Sequence, residues 1–216
     1  MKLVLFAMIA AIPSCSFCGK TTSAPAPDAS VAPAGSVASW PPSAFDGSRP
    51  CVTTAIIAPS KIAPYFDIED EFDREPIVAM GESAVAPLIA LTHSPRDQER
   101  GLATSVLGSF PCREAVARLE ELLQDPDDGL RLGAVLAFVR SQGSAATPQL
   151  SRMLSDRDAS VQHHVVQELK RVGDSRALGP LATLRDSAPQ PWVRERAAGA
   201  ILAIATREAD AGMRDR

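Results

Sequence analysis

The feature that most constrains this chain is a self-similarity at a step of 31 residues. Ala84, Ala115, Ala146 and Ala177 fall in phase at that step, and so do Leu88, Leu119, Leu150 and Leu181. A third column holds Val85, Val116, Thr147 and Leu178, and a fourth Leu91, Leu122, Met153 and Leu184. Within each copy these positions are i, i+1, i+4 and i+7, the stripe of one buried helical face. The other half of each unit is as regular. Arg100, Arg131, Gln162 and, one residue late, Arg194 form one column; Ala103, Ala134, Val165 and Ala197 form a second; Leu107, Phe138, Leu169 and Ile201 form a third. The slip of one residue falls at Pro189-Gln190-Pro191, a loop by composition. A two-helix unit repeating every ~20 to 50 residues cannot bury its apolar face alone, and stacking supplies the core. The expected fold is therefore all-α: a right-handed α-solenoid of helix pairs with a period of roughly 31 residues, over residues 72–207. Its second helices are predicted near residues 84–92, 113–124, 144–155 and 175–186.

The punctuation agrees with the period. Asp97, Asp128 and Asp158 precede the Arg-bearing helices, where a carboxylate caps free amides and suits the helix dipole. Gly108, Gly143 and Gly173 follow them, and Pro87 and Pro180 sit in first turns, where a missing amide hydrogen does least harm. The phrases Asp128-Gly129-Leu130-Arg131-x-x-Ala134, Trp192-Val193-Arg194-x-x-Ala197 and Ser175-Arg176-Ala177-Leu178-Gly179-Pro180-Leu181 resemble HEAT-like repeats of the phycobilisome-lyase type. The resemblance specifies architecture and is nearly silent on activity. Gln162 and Val165 stand where Arg and Ala are usual, altering one rung of side-chain pairing.

The N-terminus speaks to compartment. Met1 and Lys2 precede ten apolar residues, Leu3 to Ile12. That run is short of the ~20 residues that span a bilayer but fits the core of an export signal. Residues 1–14 are read as that signal. Ile12-Pro13-Ser14-Cys15 resembles the lipobox of bacterial lipoproteins, which makes Cys15 the expected lipidation site and a membrane-anchored envelope lipoprotein the expected form, with plain periplasmic or secreted export as the alternative. Residues 15–50 are dominated by Ala, Pro, Ser, Gly and Thr and should behave as a tether. Residues 51–71 are expected to cover the N-terminal end of the array, with 52–57 as a short strand or buried loop, and 208–216 to form a tail.

The inventory for chemistry is thin. Cys15 and Cys18 have CxxC spacing, but their place at the end of an export signal favours the lipobox reading. Cys51 and Cys112 remain for the folded body; they either pair as a disulfide, as an oxidising compartment allows, or stay reduced. Cys112 shares a turn column with Gly81, Gly143 and Asp174 and is expected to be accessible. His164 and Glu168 have helical ligand spacing, while the adjacent His163 and His164 point ~100° apart. A solvated helix face is the reading there, and no metal or cofactor is expected. The acidic stretch from Asp67 to Glu75 lacks the glycine turn of a calcium loop.

With 22 basic and 26 acidic residues the formal charge is -4, so a nucleic-acid-coating role has no compositional support. The Arg column is expected to pair with acids of neighbouring turns as a structural ladder. Its neighbouring row, Gly101, Leu132, His163 and Glu195, should face outward. The resulting expectation is a non-enzymatic scaffold that binds a protein or peptide partner, with His163, Gln167, Trp192 and Glu195 as contact residues. The family resemblance implies the alternative, a phycobilin-lyase-like enzyme or enzyme subunit.

Overall fold

The computed structural model describes residues 48–66 and 73–214. The export signal, Cys15, Cys18 and residues 67–72 of the acidic stretch lie outside the described residues. Every regular element within them is helical: α1 Pro59–Ile62, α2 Glu75–Ala79, α3 Val85–Leu91, α4 Asp97–Leu107, α5 Arg113–Leu122, α6 Asp128–Gln142, α7 Thr147–Met153, α8 Ala159–Val172, α9 Leu178–Ser187 and α10 Pro191–Arg214. Among the described residues no helix is long and apolar enough to cross a membrane.

The columns read from the sequence form the core. Leu88, Leu119, Leu150 and Leu181 are all fully buried, as are Ala84, Ala115, Ala146 and Ala177. They belong to one hydrophobic cluster running from Ile62 to Ile204. The helices form two layers. The Arg-bearing helices α4, α6, α8 and α10 pack on one another in sequence, each neighbour pair in close contact. The other layer, α3, α5, α7 and α9, is more loosely joined along the array. Close packing in the first layer explains Gly108. A Cβ there would stand 2.6 Å from the Ala137 carbonyl oxygen, so only glycine admits α6 at that distance. Gly143 has a different reason: with φ of 55° it turns the chain out of α6 into the next unit.

Several expectations need correction. Asp158 caps α8, its Oδ1 accepting from the amides of Ser160 and Val161. At α6, however, the cap is Asp127, accepting from Leu130, rather than Asp128. Asp97 is the first residue inside α4 and pairs with Arg100 at 2.7 Å. Residues 52–57 form neither a strand nor a buried loop, since Val52 and Ile56 are exposed. The cap over the first unit is supplied further on, by the buried Ile62 and Phe66 of α1 and the short turn that follows it. The expected tail is largely helix, because α10 continues to Arg214.

The end of the expected tether is docked as well. Arg49 accepts at its carbonyl from the Arg113 amide at 2.8 Å and pairs through its guanidinium with Glu82. From there the chain is held by Cys51 N–H to Glu114 Oε2 at 2.7 Å, and by the amides of Thr54 and Ala55 to Ser83 Oγ at 3.0 and 3.1 Å. Cys51 and Cys112 are disulfide-bonded, with Cα atoms 5.0 Å apart. Cys112 is completely buried rather than accessible. The docked 49–55 segment covers it, a contact that its turn column could not disclose.

Candidate functional site

The Arg column does more than build a ladder. Each member reaches back to the loop that precedes its own helix. Arg100 Nη1 donates to the Ser94 carbonyl at 3.1 Å, Arg131 Nη1 to Asp125 at 2.9 Å, Gln162 Nε2 to Asp156 at 2.8 Å and Arg194 Nη1 to Ala188 at 2.8 Å. The separation is six residues in every unit. Rungs between units are present only where the next loop supplies an acid: Arg131 holds Asp156 through Nε and Nη2, both at 2.9 Å, and Arg100 stands 3.8 Å from Asp127. Burial pushes the Asp156 carboxyl upward, but the Arg131 guanidinium and the Asp158 amide outweigh it and hold it below the usual carboxylate range. Each of these arginines is tied to the scaffold through a loop carbonyl.

With that column committed inward, the surface of α8 and α10 carries the remaining candidates. Trp192 is 41% exposed at the start of α10. Its ring lies 5.8 Å from that of His163 on α8, tilted by 58°. His163 and Trp192 therefore form one aromatic cluster across two units, extended by His164, whose ring is 5.3 Å from His163 and perpendicular to it. His163 is half-buried, and its Nδ1 is sealed from solvent without a hydrogen-bond partner. Burial, then the nearby Arg196 and His164 charges, push its pKa below the ordinary value, so the ring is neutral near pH 7. Gln167 and Glu195 are exposed on the same two helices.

Farther along α8 and α10 lies a groove lined by Lys170, Gly199, Leu202, Ala203, Thr206 and Asp210, with a volume of about 660 Å³. Its lining is mainly apolar, and Leu202 is 69% exposed. Helical spacing places Trp192, Arg196, Gly199, Ala203 and Asp210 along one face of α10, so the aromatic cluster and the groove share one edge. From Trp192 to Asp210 that edge runs ~27 Å at 1.5 Å per residue. Gly199 leaves the middle of it open, since a Cβ there would meet nothing within 4 Å. Sequence reasoning named His163 and Trp192 as candidates and did not name Leu202. The signal was an exposed leucine on an otherwise Ala-rich helix.

The other candidates settle into structural roles. His164 Nδ1 lies 2.8 Å from the Ser160 carbonyl, and Glu168 pairs with Arg171 at 2.7 Å. Cys51, Cys112 and Glu114 cluster closely, but the two sulfurs are bonded to each other.

A family model described as HEAT repeats matches residues 85–158 and again 135–202, together more than half of the 216-residue chain. No curated protein matches the chain. Among solved structures, the crystal structure of an engineered protein from the Northeast Structural Genomics Consortium is similar at 20% identity and a TM-score of 0.42, over 62% of this chain and 68% of that one.

Proposed function

The chain belongs to the HEAT-repeat family, and from that premise we propose that it is a non-enzymatic scaffold, tethered to a bacterial cell envelope, that docks a protein or peptide partner on the α8/α10 face. The observation that carries the reading is the continuity of the His163/Trp192 cluster with the apolar groove at Leu202. An exposed aromatic beside an apolar trough is the kind of anchor on which binding energy concentrates. The charges around it are mixed, Arg196, Lys170 and Arg207 against Glu195 and Asp210. Such a pattern suits a specific polypeptide contact better than a polyanion. The tether rests on the apolar run Leu3 to Ile12 and on Cys15 as the lipid-bearing residue.

The test is capture of partner from envelope membranes by the full chain and by a His163→Ala, Trp192→Ala double variant. Loss of more than tenfold in affinity, about 1.4 kcal/mol, with an unchanged thermal midpoint supports the site. Equal loss of binding and of folding assigns Trp192 to the terminal core instead. Cys15→Ala should release the protein from membranes or block its maturation, and an intact mass without lipid at Cys15 would leave plain export.

A further inference from the structure

The last unit of the array is built as though another followed it. Thr104, Val135 and Val166 are buried on successive Arg-bearing helices, whereas Ala198, next in that column, is exposed. Leu107, Phe138 and Leu169 are buried, whereas Ile201 is only half-buried. Val85, Val116 and Thr147 are buried, whereas Leu178 is only half-buried. The Arg column ends in the same way. Arg131 uses Nη1 for its own loop and Nε and Nη2 for the next unit's Asp156. Arg194 keeps the loop contacts, to the Ala188 and Pro189 carbonyls, and has no carboxylate partner among the described residues. Repeat arrays ordinarily close with a polar outer face. This one presents an apolar seam and an arginine still short of its acid.

The seam names its own complement. Arg194, Ala198, Ile201, Ala205 and Glu208 follow one another at alternating steps of four and three, the spacing that keeps a single stripe facing a second helix. Arg194 and Glu208 lie seven residues to either side of Ile201. We propose that two copies of this chain pair through α10, antiparallel about a twofold axis at Ile201. In that register Arg194 of each copy meets Glu208 of the other, and Ala198 lies against Ala205 of the other, where small side chains let the helices approach closely. Glu208 is exposed and accepts the Ser175 amide through Oε1 at 2.5 Å, an anchor that fixes its position. Parallel pairing would oppose like charges. Head-to-tail stacking is blocked, because the open face of the first unit is covered by Ile62 and Phe66 and by the segment fastened through Cys51–Cys112. An isologous pair closes on itself, so the assembly stops at two.

The test is sedimentation equilibrium of the full chain at micromolar concentration in mild detergent, which suppresses association through any N-terminal lipid. The expected species is a dimer. Ala198→Glu alters an exposed helical position and leaves the far-ultraviolet circular dichroism spectrum of the folded chain unchanged, while raising the dimer dissociation constant more than a hundredfold. In an Ala198→Cys, Ala205→Cys variant, oxidation should link position 198 of one copy to position 205 of the other. Those positions stand ~10 Å apart on their own helix, too far for a bond within one chain. A monomer at every concentration, a dimer indifferent to Ala198→Glu, or links only between identical positions would each overturn the proposal.

Discussion

Replacing Arg131 by glutamine converts one rung of the array into the form that the next rung already has. Arg131 and Asp156 have side chains only 4% and 7% exposed. The guanidinium makes two bonds of 2.9 Å to the carboxylate and two more, at 2.9 and 3.2 Å, to the carbonyls of Asp125 and Pro126. In Arg131→Gln the amide can retain the Asp125 bond, as Gln162 does with Asp156, but the Asp156 carboxylate is left buried without its countercharge. Stranding one partner of a buried pair costs about 3 to 5 kcal/mol. The sequence contains the remedy, since the position one repeat beyond Asp156 is Ser187. Adding Asp156→Ser removes the stranded charge and places at the two positions the residue types found one repeat on, Gln162 and Ser187, so the double variant should recover most of the loss and stay within about 1.5 kcal/mol of the parent. Urea unfolding followed by far-ultraviolet circular dichroism measures both, on a common slope. A single variant costing under about 1 kcal/mol would show that the rung is not a buried, committed pair. A double variant as unstable as the single would show that the loss came from packing rather than charge.

Leu150→Ala empties a fully buried column position and should destabilise by about 2 to 5 kcal/mol in the same assay; a smaller loss would mean that the stack closes over the gap. Reducing Cys51–Cys112, a closure across 61 residues, should cost about 4 kcal/mol on the chain-entropy account, seen as a lower urea midpoint with reductant; an unchanged midpoint would refute that account. Folding lowers the His163 pKa, so the unfolded chain binds that proton more tightly. His163 thus leaves stability intact above the unfolded value of about 6.5 and reduces it as pH falls through that value. Thermal melts of the parent and His163→Gln between pH 8 and pH 5 should diverge below that point, and parallel curves would exclude the residue.

How much of this was legible in the sequence follows from which interactions leave a periodic trace. The Leu88 to Leu181 column does, because each unit buries the same helical face, and all four members are fully buried. The Arg column was visible as a column but not in its role. Its most regular partners are main-chain carbonyls six residues back, and carbonyl direction has no signature in residue type. Cys112 was misjudged for a related reason. Two of its column mates, Gly81 and Gly143, are open turns with φ of 67° and 55°, whereas Cys112 lies beneath a segment that arrives from 61 residues earlier. The Asp127 cap differs from the expected Asp128 by one residue because adjacent carboxylates are interchangeable in composition but not in capping geometry. At the α8/α10 face, column arithmetic named His163, whereas Trp192 was named as an aromatic residue of the kind that anchors contacts. Their ring contact across the boundary of two units occurs once in the array and so leaves no periodic trace.

The central claim is that the α8/α10 face is where a partner docks, and site-specific photocrosslinking tests it most directly. A photoreactive residue placed at Ala203, in the groove, is compared with one at Glu120, exposed on α5 in the other layer, each in the full chain in envelope membranes. The account predicts a discrete adduct from position 203 that His163→Ala, Trp192→Ala abolishes, and none from position 120. An adduct from position 120 with position 203 silent would contradict it and move the docking surface to the α3, α5, α7 and α9 layer.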